Sequence, residues 1–231
     1  ILAMFVLILF WRMPKNGDKN HSIDFVPTLR RIFAMPHYRE GVIAQFFYVG
    51  VQIMCWTFII QYGTRVLMAD GMAEQAAEVA SQQYNILAMI IFCCSRFICT
   101  FLLRYVNTGR LLTVLAIVGG LLVVGVIGLQ NIYGLYCLVG VSACMSLMFP
   151  TIYGIALTGL GDDAKFGAAG LIMAILGGSV LPPFQAAIID QGELLGMPAV
   201  NVSFILPFVC FVVIAIYGHR TFLRSKGQLG G

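Results

Sequence analysis

The chain has 231 residues, of which 60% are hydrophobic and only 10% are charged, and its mean hydropathy is +0.91. Soluble domains carry about a quarter charged residues, so this composition excludes an ordinary globular protein and predicts an α-helical membrane protein with several spans. The formal net charge of +4 is too small, and the basic residues are too dispersed, for a nucleic-acid partner.

The first 40 residues do not contain a complete span. Residues 1–11 are apolar but make up only about half of the ~20 residues that a spanning helix needs, so we interpret them as the end of a truncated transmembrane helix. Residues 12–40 form a polar loop with a short amphipathic surface helix, which includes Phe25 and Phe33 and is ended by Pro36. This pattern predicts that the sequence is a fragment of a longer membrane protein.

A transmembrane unit over residues 41–218 and a polar tail over residues 219–231 are predicted next. The connections within the unit are mostly short, which favours antiparallel helices in sequential order. The six predicted spans cover residues 41–64, 81–103, 111–129, 132–158, 167–189 and 202–217.

The distribution of positive charge predicts the orientation. If residues 12–40 are cytoplasmic, 12 of the 14 Lys and Arg residues fall on the cytoplasmic side of the six spans, and Arg65 is the only one in an outer loop. Cytoplasmic loops of membrane proteins carry this excess. The carboxyl terminus is therefore predicted to be cytoplasmic.

The first complete span carries a polar stripe. At helical spacing, one face presents Gln45, Tyr48, Gln52 and Trp56. Amides are costly in hydrocarbon without a hydrogen-bond partner, so the face either packs against other helices or lines a wet cavity that holds a polar solute.

Arg96 is the one charged residue inside a predicted span. It either snorkels to the membrane surface or faces a cavity, where it would donate to a hydroxyl group or pair with a carboxylate. Since no predicted span contains Asp or Glu, such a carboxylate would have to come from outside this sequence.

Two spans are interrupted by helix breakers. Pro150 lies in the fourth span beside Phe149, which shares a face with Tyr153, and the fifth span contains Gly177–Gly178 and Pro182. Such breaks mark gates or cavity walls in transporters, whereas in an inert bundle they permit close helix contact. Combined with the glutamines of the first span, they favour a transporter.

The sequence contains no motif for an enzyme, for ATP hydrolysis or for a metal site. The seven cysteines lie in apolar runs without a CxxC pair, and they are interpreted as small packing residues. We therefore expect no catalytic residues, no metal and no cofactor.

Several motifs, in order and spacing, resemble a known family. AQFFYVGVQIMCW, SRF, FPTIYG and GLGDDAKFGAAGLIMAILGGSVLPP together are similar to the carboxyl-terminal half of the fucose permease branch of the major facilitator superfamily. The resemblance implies an all-α fold in which residues 1–11 end helix six, residues 12–40 are the central loop, and the spans are helices seven to twelve.

The resemblance also implies a proton-coupled sugar importer that works by alternating access in a bacterial inner membrane. The sugar would be L-fucose, or glucose or galactose as in relatives. Gln52 and Trp56 would line the sugar cavity with Gln45, and Arg96 matches an arginine implicated in function. Phe149 replaces a tyrosine of the family, and Tyr153 would supply the lost hydroxyl.

The proton-binding acids would lie in the missing amino-terminal six helices, so the proton is the coupling ion and no other cofactor is implied. Two alternatives remain at this point: a major facilitator carrier of a non-sugar solute, and a membrane scaffold in which the polar stripe joins helices.

Overall fold

The structure is a computed structural model and describes residues 25–102, 105–194 and 196–229. The predicted helix end at residues 1–11 and the first half of the predicted loop lie outside these ranges. The helices are α1 (Phe25–Ala34), α2 (Pro36–Ala69), α3 (Glu74–Leu102), α4 (Thr108–Gly128), α5 (Ile132–Met145), α6 (Met148–Leu157), α7 (Ala164–Met173), α8 (Gly177–Ile189), α9 (Ala199–Ser203) and α10 (Ile205–Leu229). Short 3₁₀ turns cover Gly161–Asp163 and Ala174–Leu176, and a two-residue hairpin pairs β1 (Glu193–Leu194) with β2 (Met197–Pro198).

Within the described ranges, five segments are both long and apolar enough to cross a membrane. They are Pro36–Ala69, Thr108–Gly128, Ile132–Leu157, Ala164–Ile189 and Ala199–Ser225. The 29-residue α3 is also long enough, since about 1.5 Å per residue gives more than the ~30 Å of a hydrocarbon core. The first span begins at Pro36 rather than at residue 41, because proline fits the first turn of a helix and lacks only an amide that would be unpaired there.

Helix α2 is the centre of the bundle. It packs against α3, α5, α6, α8 and α10. Its large side chains, such as Tyr48, Met54 and Ile59, are almost completely buried in the main apolar cluster. Because α2 touches most of the other long helices, residues on its remaining open face are held in a rigid frame.

Two spans are broken, at the places where the sequence contains helix breakers. The break between α5 and α6 falls at residues 146–147, and Pro150, which has no amide to donate, follows in the first turn of α6. The break between α7 and α8 is the 3₁₀ turn Ala174–Leu176, directly before Gly177. Each span is thus two helical segments whose directions can differ.

The end of the bundle that carries α1, the start of α2 and the last part of α10 is called the basic end here. At this end α1 is fastened to the segment between α6 and α7. The guanidinium Nε of Arg31 lies 2.8 Å from Oδ2 of Asp163, and Ile32 is fully buried in a second apolar cluster. Tyr38 donates from its hydroxyl to the carbonyl of Gly167 at 2.9 Å.

The basic end also joins the first and last long helices. Glu40 Oε1 accepts a hydrogen bond from Arg224 at 3.0 Å and forms an ion pair with Arg220 at 3.1 Å. The Glu40 side chain is only 16% exposed, so this pair of contacts is partly shielded from solvent. The start of α2 is therefore held against the end of α10 by charge.

Candidate functional site

The predicted polar stripe on α2 divides into two parts. Gln45 and Tyr48 are fully buried, whereas Gln52 and Trp56 are half-buried. The Tyr48 hydroxyl donates to the carbonyl of Met145 at 2.9 Å, and both polar atoms of the Gln45 amide lack a hydrogen-bond partner among the residues that the structure describes. The half of the stripe nearer the basic end is thus enclosed by helices, and the other half remains partly open.

Trp56 of α2 contacts side chains of two other helices, α5 and α3. Its indole Nε1 donates to the hydroxyl of Ser142 on α5 at 3.3 Å. Its ring meets Phe92 of α3 edge to face, with centroids 5.0 Å apart. An indole held by one hydrogen bond and one aromatic contact has little rotational freedom, so its open face is preorganised.

Arg96 lies one helical turn from Phe92. Its guanidinium carbon is 6.0 Å from the centre of the Phe92 ring, at the outer limit of a cation–π contact. The side chain is exposed, and within the described residues it forms no ion pair. The structure thus brings both Trp56 and Arg96 next to the same phenylalanine.

A cavity of about 370 Å³ lies beside Arg96, between α3 and α6. Its wall includes Thr100, Thr151 and Pro150. This volume is within the range of small-molecule sites, roughly 300–1,000 Å³. One cation and the hydroxyl groups of four threonines, Thr100, Thr108, Thr151 and Thr158, line this cavity, which makes it suitable for a polar, oxygen-rich solute.

The aromatic pair predicted in the fourth span, Phe149 and Tyr153, is not part of the lining of the cavity beside Arg96. Phe149 and Tyr153 are stacked, with centroids 6.2 Å apart and planes inclined by 11°. Phe149 also meets Tyr48 edge to face at 6.1 Å. Both rings of the pair are half-buried, so the sequence-predicted pair does lie together on one surface of α6.

The predicted hinge residues have different surroundings. A Cβ at Gly177 would collide with the backbone carbonyl of Phe46, so this glycine permits the closest approach of α8 to α2. A Cβ at Gly178 would have more room, since it would lie 3.0 Å from side-chain carbons of Ile53 and Val49. Pro150 and Pro182 are half-buried residues inside α6 and α8.

Sequence reasoning missed two groups. Phe92 was hidden among the apolar residues of α3. A buried polar network at the other end of the bundle was also missed: Gln185 donates to Ser203 at 3.1 Å, and the Asn201 amide donates to the carbonyl of Val126 at 3.1 Å. Gln185 and Asn201 could have been found from the same signal as Gln45, since each is an amide within or beside an apolar run.

No group of three or more His, Cys, Asp or Glu side chains that could hold a metal ion occurs in the part of the chain that the structure describes. The chemistry available at the site is hydrogen bonding, aromatic stacking and one positive charge.

Comparison with known proteins gives a consistent set of relatives. The chain is 51% identical over 98% of its length to the L-fucose-proton symporter of Haemophilus influenzae and 29% identical over 95% to that of Escherichia coli. It is also 29% identical over 79% of its length to the glucose/galactose transporter of Brucella abortus. These alignments cover 51%, 48% and 42% of the relatives, so the chain spans about half their length. No family model matches the chain.

Solved structures give the same result for the fold. The crystal structure of the major facilitator superfamily transporter FucP in the outward conformation matches with a TM-score of 0.78 and 29% identity, over 95% of this chain and 51% of that one. The predicted all-α fold of a half transporter is therefore confirmed. These relatives are named as transporters rather than enzymes, as the sequence predicted.

Proposed function

Because the chain is similar over almost its whole length to half of the L-fucose-proton symporters of the major facilitator superfamily, and has the fold of half of such a transporter, we propose that it forms the carboxyl-terminal half of a proton-coupled sugar importer. L-fucose is the favoured sugar, followed by glucose and galactose. The missing half would supply the opposite wall of the cavity. Its acids would also bind the proton, and the proton would be the only coupling partner.

The arrangement of Trp56, Phe92 and Arg96 is the observation that carries this proposal. A sugar ring has an apolar face, which stacks on aromatic rings, and a rim of hydroxyl groups, which accept from cations and amides. Trp56 offers the stacking surface, since its indole is already oriented by Ser142. Arg96 offers donors one turn from Phe92 on α3, and Gln52 is on the same half-buried face of α2 as Trp56.

Further contacts in the proposed cavity come from α6. Tyr153 would bond to a sugar hydroxyl in place of the residue at Phe149, whose ring has no polar atom. Gln45 is enclosed in this conformation, so it would reach the sugar only after a rearrangement of α2 and its neighbours.

Alternating access would be produced by rocking of the two halves. The points of bending would be the break at residues 146–147, just before Pro150, and the turn Ala174–Leu176, just before Gly177–Gly178 and Pro182. Residues 12–40 would link the halves on the cytoplasmic side of a bacterial inner membrane, and the carboxyl terminus would be on that side too. The support for this orientation is that Arg31, Arg220 and Arg224 are all at the basic end.

The proposal is tested by uptake of labelled L-fucose into proteoliposomes that contain the full-length protein and carry an inward proton gradient. We expect uptake that is driven by the gradient and competed by unlabelled L-fucose, less strongly by D-galactose or D-glucose. Liposomes that contain only the 231 residues of this chain should show no uptake. A carrier of a non-sugar solute would show no competition by any of the three sugars, and a scaffold would show no sugar-induced change in Trp56 fluorescence.

Gln52→Ala in the full-length protein should weaken sugar binding about tenfold, because one or two hydrogen bonds from its amide are lost. The measurement is calorimetric titration with L-fucose, at matched expression. Gln61→Ala is the control, since Gln61 is an exposed amide near the other end of the same helix. Unchanged affinity in Gln52→Ala would assign Gln52 to helix packing instead.

A further inference from the structure

The cavity beside Arg96 extends from that residue to the basic end. Its wall on the α6 side covers residues 147–158, which correspond to about 16 Å of helix. Thr158 is at the basic end, because its carbonyl lies 3.0 Å from Nε2 of His37, near the start of α2. Arg96 lies beside Phe92, which belongs to the proposed sugar-binding arrangement. The cavity thus begins next to the proposed sugar contacts and leads away from them.

Threonine hydroxyl groups are spread along this cavity. The Thr100 hydroxyl donates to the carbonyl of Arg96 at 2.6 Å, and the Thr158 hydroxyl donates in the same way to its own helix. Both oxygens can still accept, because a threonine hydroxyl has one proton and two lone pairs. The Thr151 hydroxyl has no hydrogen-bond partner within the described residues, so a rotation about χ1 can turn it towards the cavity without breaking a bond. The wall thus offers acceptors to the hydroxyl groups of a solute, and Arg96 offers donors.

The cavity differs from the surroundings of Trp56 in its lack of a stacking surface. No aromatic side chain among the described residues belongs to its lining, so the apolar face of a sugar ring meets aliphatic groups such as Leu147 and Ile155. A sugar is therefore bound more weakly here than beside Trp56. Weak binding suits a site on the way out, since a solute must be able to leave it.

We propose that this cavity is a second sugar site, through which the sugar leaves the Trp56 site towards the cytoplasm. This inference rests on the proposed sugar transport, and it adds a release site whose binding residues are Thr100, Thr151 and Thr158. Arg96 belongs to both sites, so the sugar can pass from one to the other without losing this contact. The alternative occupant is a side chain of the missing half, but a single side chain would contact only part of a wall of about 16 Å with hydroxyl groups along its length.

The first test fills the cavity in the full-length protein. Gly154→Leu adds a side chain to the lining at a position where a Cβ would meet no atom within 4 Å, and leucine favours a helix more than glycine does. Uptake of saturating labelled L-fucose by proteoliposomes should fall about tenfold, while the Kd from calorimetric titration stays within about twofold. Gly128→Leu is the matched control, since Gly128 is a helical glycine of α4 that also has open space around it. It should leave both quantities unchanged.

The second test removes hydroxyl groups and keeps the volume of the cavity. Thr100→Val/Thr158→Val should lower saturating uptake about fivefold at an unchanged Kd, because the sugar loses two hydrogen bonds on its way out. Thr113→Val is the control: the Thr113 hydroxyl also donates to a carbonyl four residues earlier, at 2.8 Å, but Thr113 does not line the cavity. If Gly154→Leu does not fold, this double variant alone decides.

The possible results separate this proposal from the proposed function. A full-length protein that binds no L-fucose would overturn both. If L-fucose is bound and taken up, normal uptake in either cavity variant would overturn the release site alone, and a loss only in Gly154→Leu would assign the cavity to contact between the two halves. A Kd that rises in proportion to the loss of uptake would also overturn it, since the cavity would then be part of the Trp56 site.

Discussion

The two ends of the bundle are held together by different kinds of polar contact. At the basic end the helices are joined by ions: Glu40 binds Arg220 and Arg224, and Arg31 binds Asp163. At the opposite end they are joined by neutral groups, with Gln185 bonded to Ser203 and the Asn201 amide bonded to a carbonyl of α4. The neutral network is almost completely buried, whereas the arginines of the basic end are 38% to 63% exposed.

This difference follows from the cost of burying charge. A buried ion needs more compensation than a buried amide, so ions are stable joints only where solvent reaches one partner. The two ends should therefore respond differently to substitution and to salt. The following variants, measured in the full-length protein, test that comparison in order of decreasing expected effect.

Asn201→Ala should have the largest effect, a loss of about 1–2 kcal/mol in the free energy of unfolding, because the carbonyl of Val126 loses a buried donor. Unfolding by SDS in mixed micelles gives the value. Gln191→Ala, which removes an exposed amide near the end of α8, is the control and should be close to neutral. The loss should be the same at low and high salt, and a strong dependence on salt would contradict the neutral character of this end.

Glu40→Gln should lower the free energy of unfolding by about 1 kcal/mol, because the amide oxygen that replaces the carboxylate attracts Arg220 and Arg224 less strongly and the exposed arginines limit the effect. The same titration is repeated at 0.05 M and 0.5 M salt, and most of the loss should disappear at the higher concentration. Glu78→Gln, at an exposed position on α3, serves as the matched change of charge. A loss larger than that of Asn201→Ala would reverse the comparison.

Arg31→Gln should have the smallest effect, about 0.5 kcal/mol, since the Arg31 side chain is 63% exposed. Proteolysis between α1 and α2 is the more sensitive measurement, because the variant loosens α1 from the segment before α7. The cleavage rate should rise in Arg31→Gln and stay unchanged in Arg110→Gln. Equal rates would show that the buried Ile32, and not the ion pair, holds α1 in place.

The helices were predictable from the sequence because long apolar runs and short polar connections leave few alternatives. The neighbours of Trp56 could not be predicted from the sequence. Its contacts with Phe92 and Ser142 join three helices, and a single sequence contains no signal for which face of α3 meets which face of α5. The stripe on α2 was read correctly as one face, but that pattern could not tell that Gln45 is enclosed while Gln52 is partly open.

The ends of the helices were also not predictable from the sequence alone. Hydropathy locates the middle of a span, and the polar residues beyond it are helical only if tertiary contacts hold them. Glu40 lies inside α2 and pairs with Arg220 and Arg224, a long-range contact that hydropathy does not report. His37 is held in a similar way, with its Nε2 at 3.0 Å from the carbonyl of Thr158.

The 3₁₀ turn Ala174–Leu176 changes the direction, around the helix axis, in which the side chains after it point. Each residue of a 3₁₀ helix turns by about 120°, against about 100° in an α-helix, so three residues rotate everything after them by an additional ~60°. An uninterrupted α-helix that began in the same way would direct Gln185 about 60° away from Ser203. The short turn thus lets one continuous span present Gly167 to Tyr38 at one end and an amide to α9 at the other, two directions that a regular helix of this sequence could not combine.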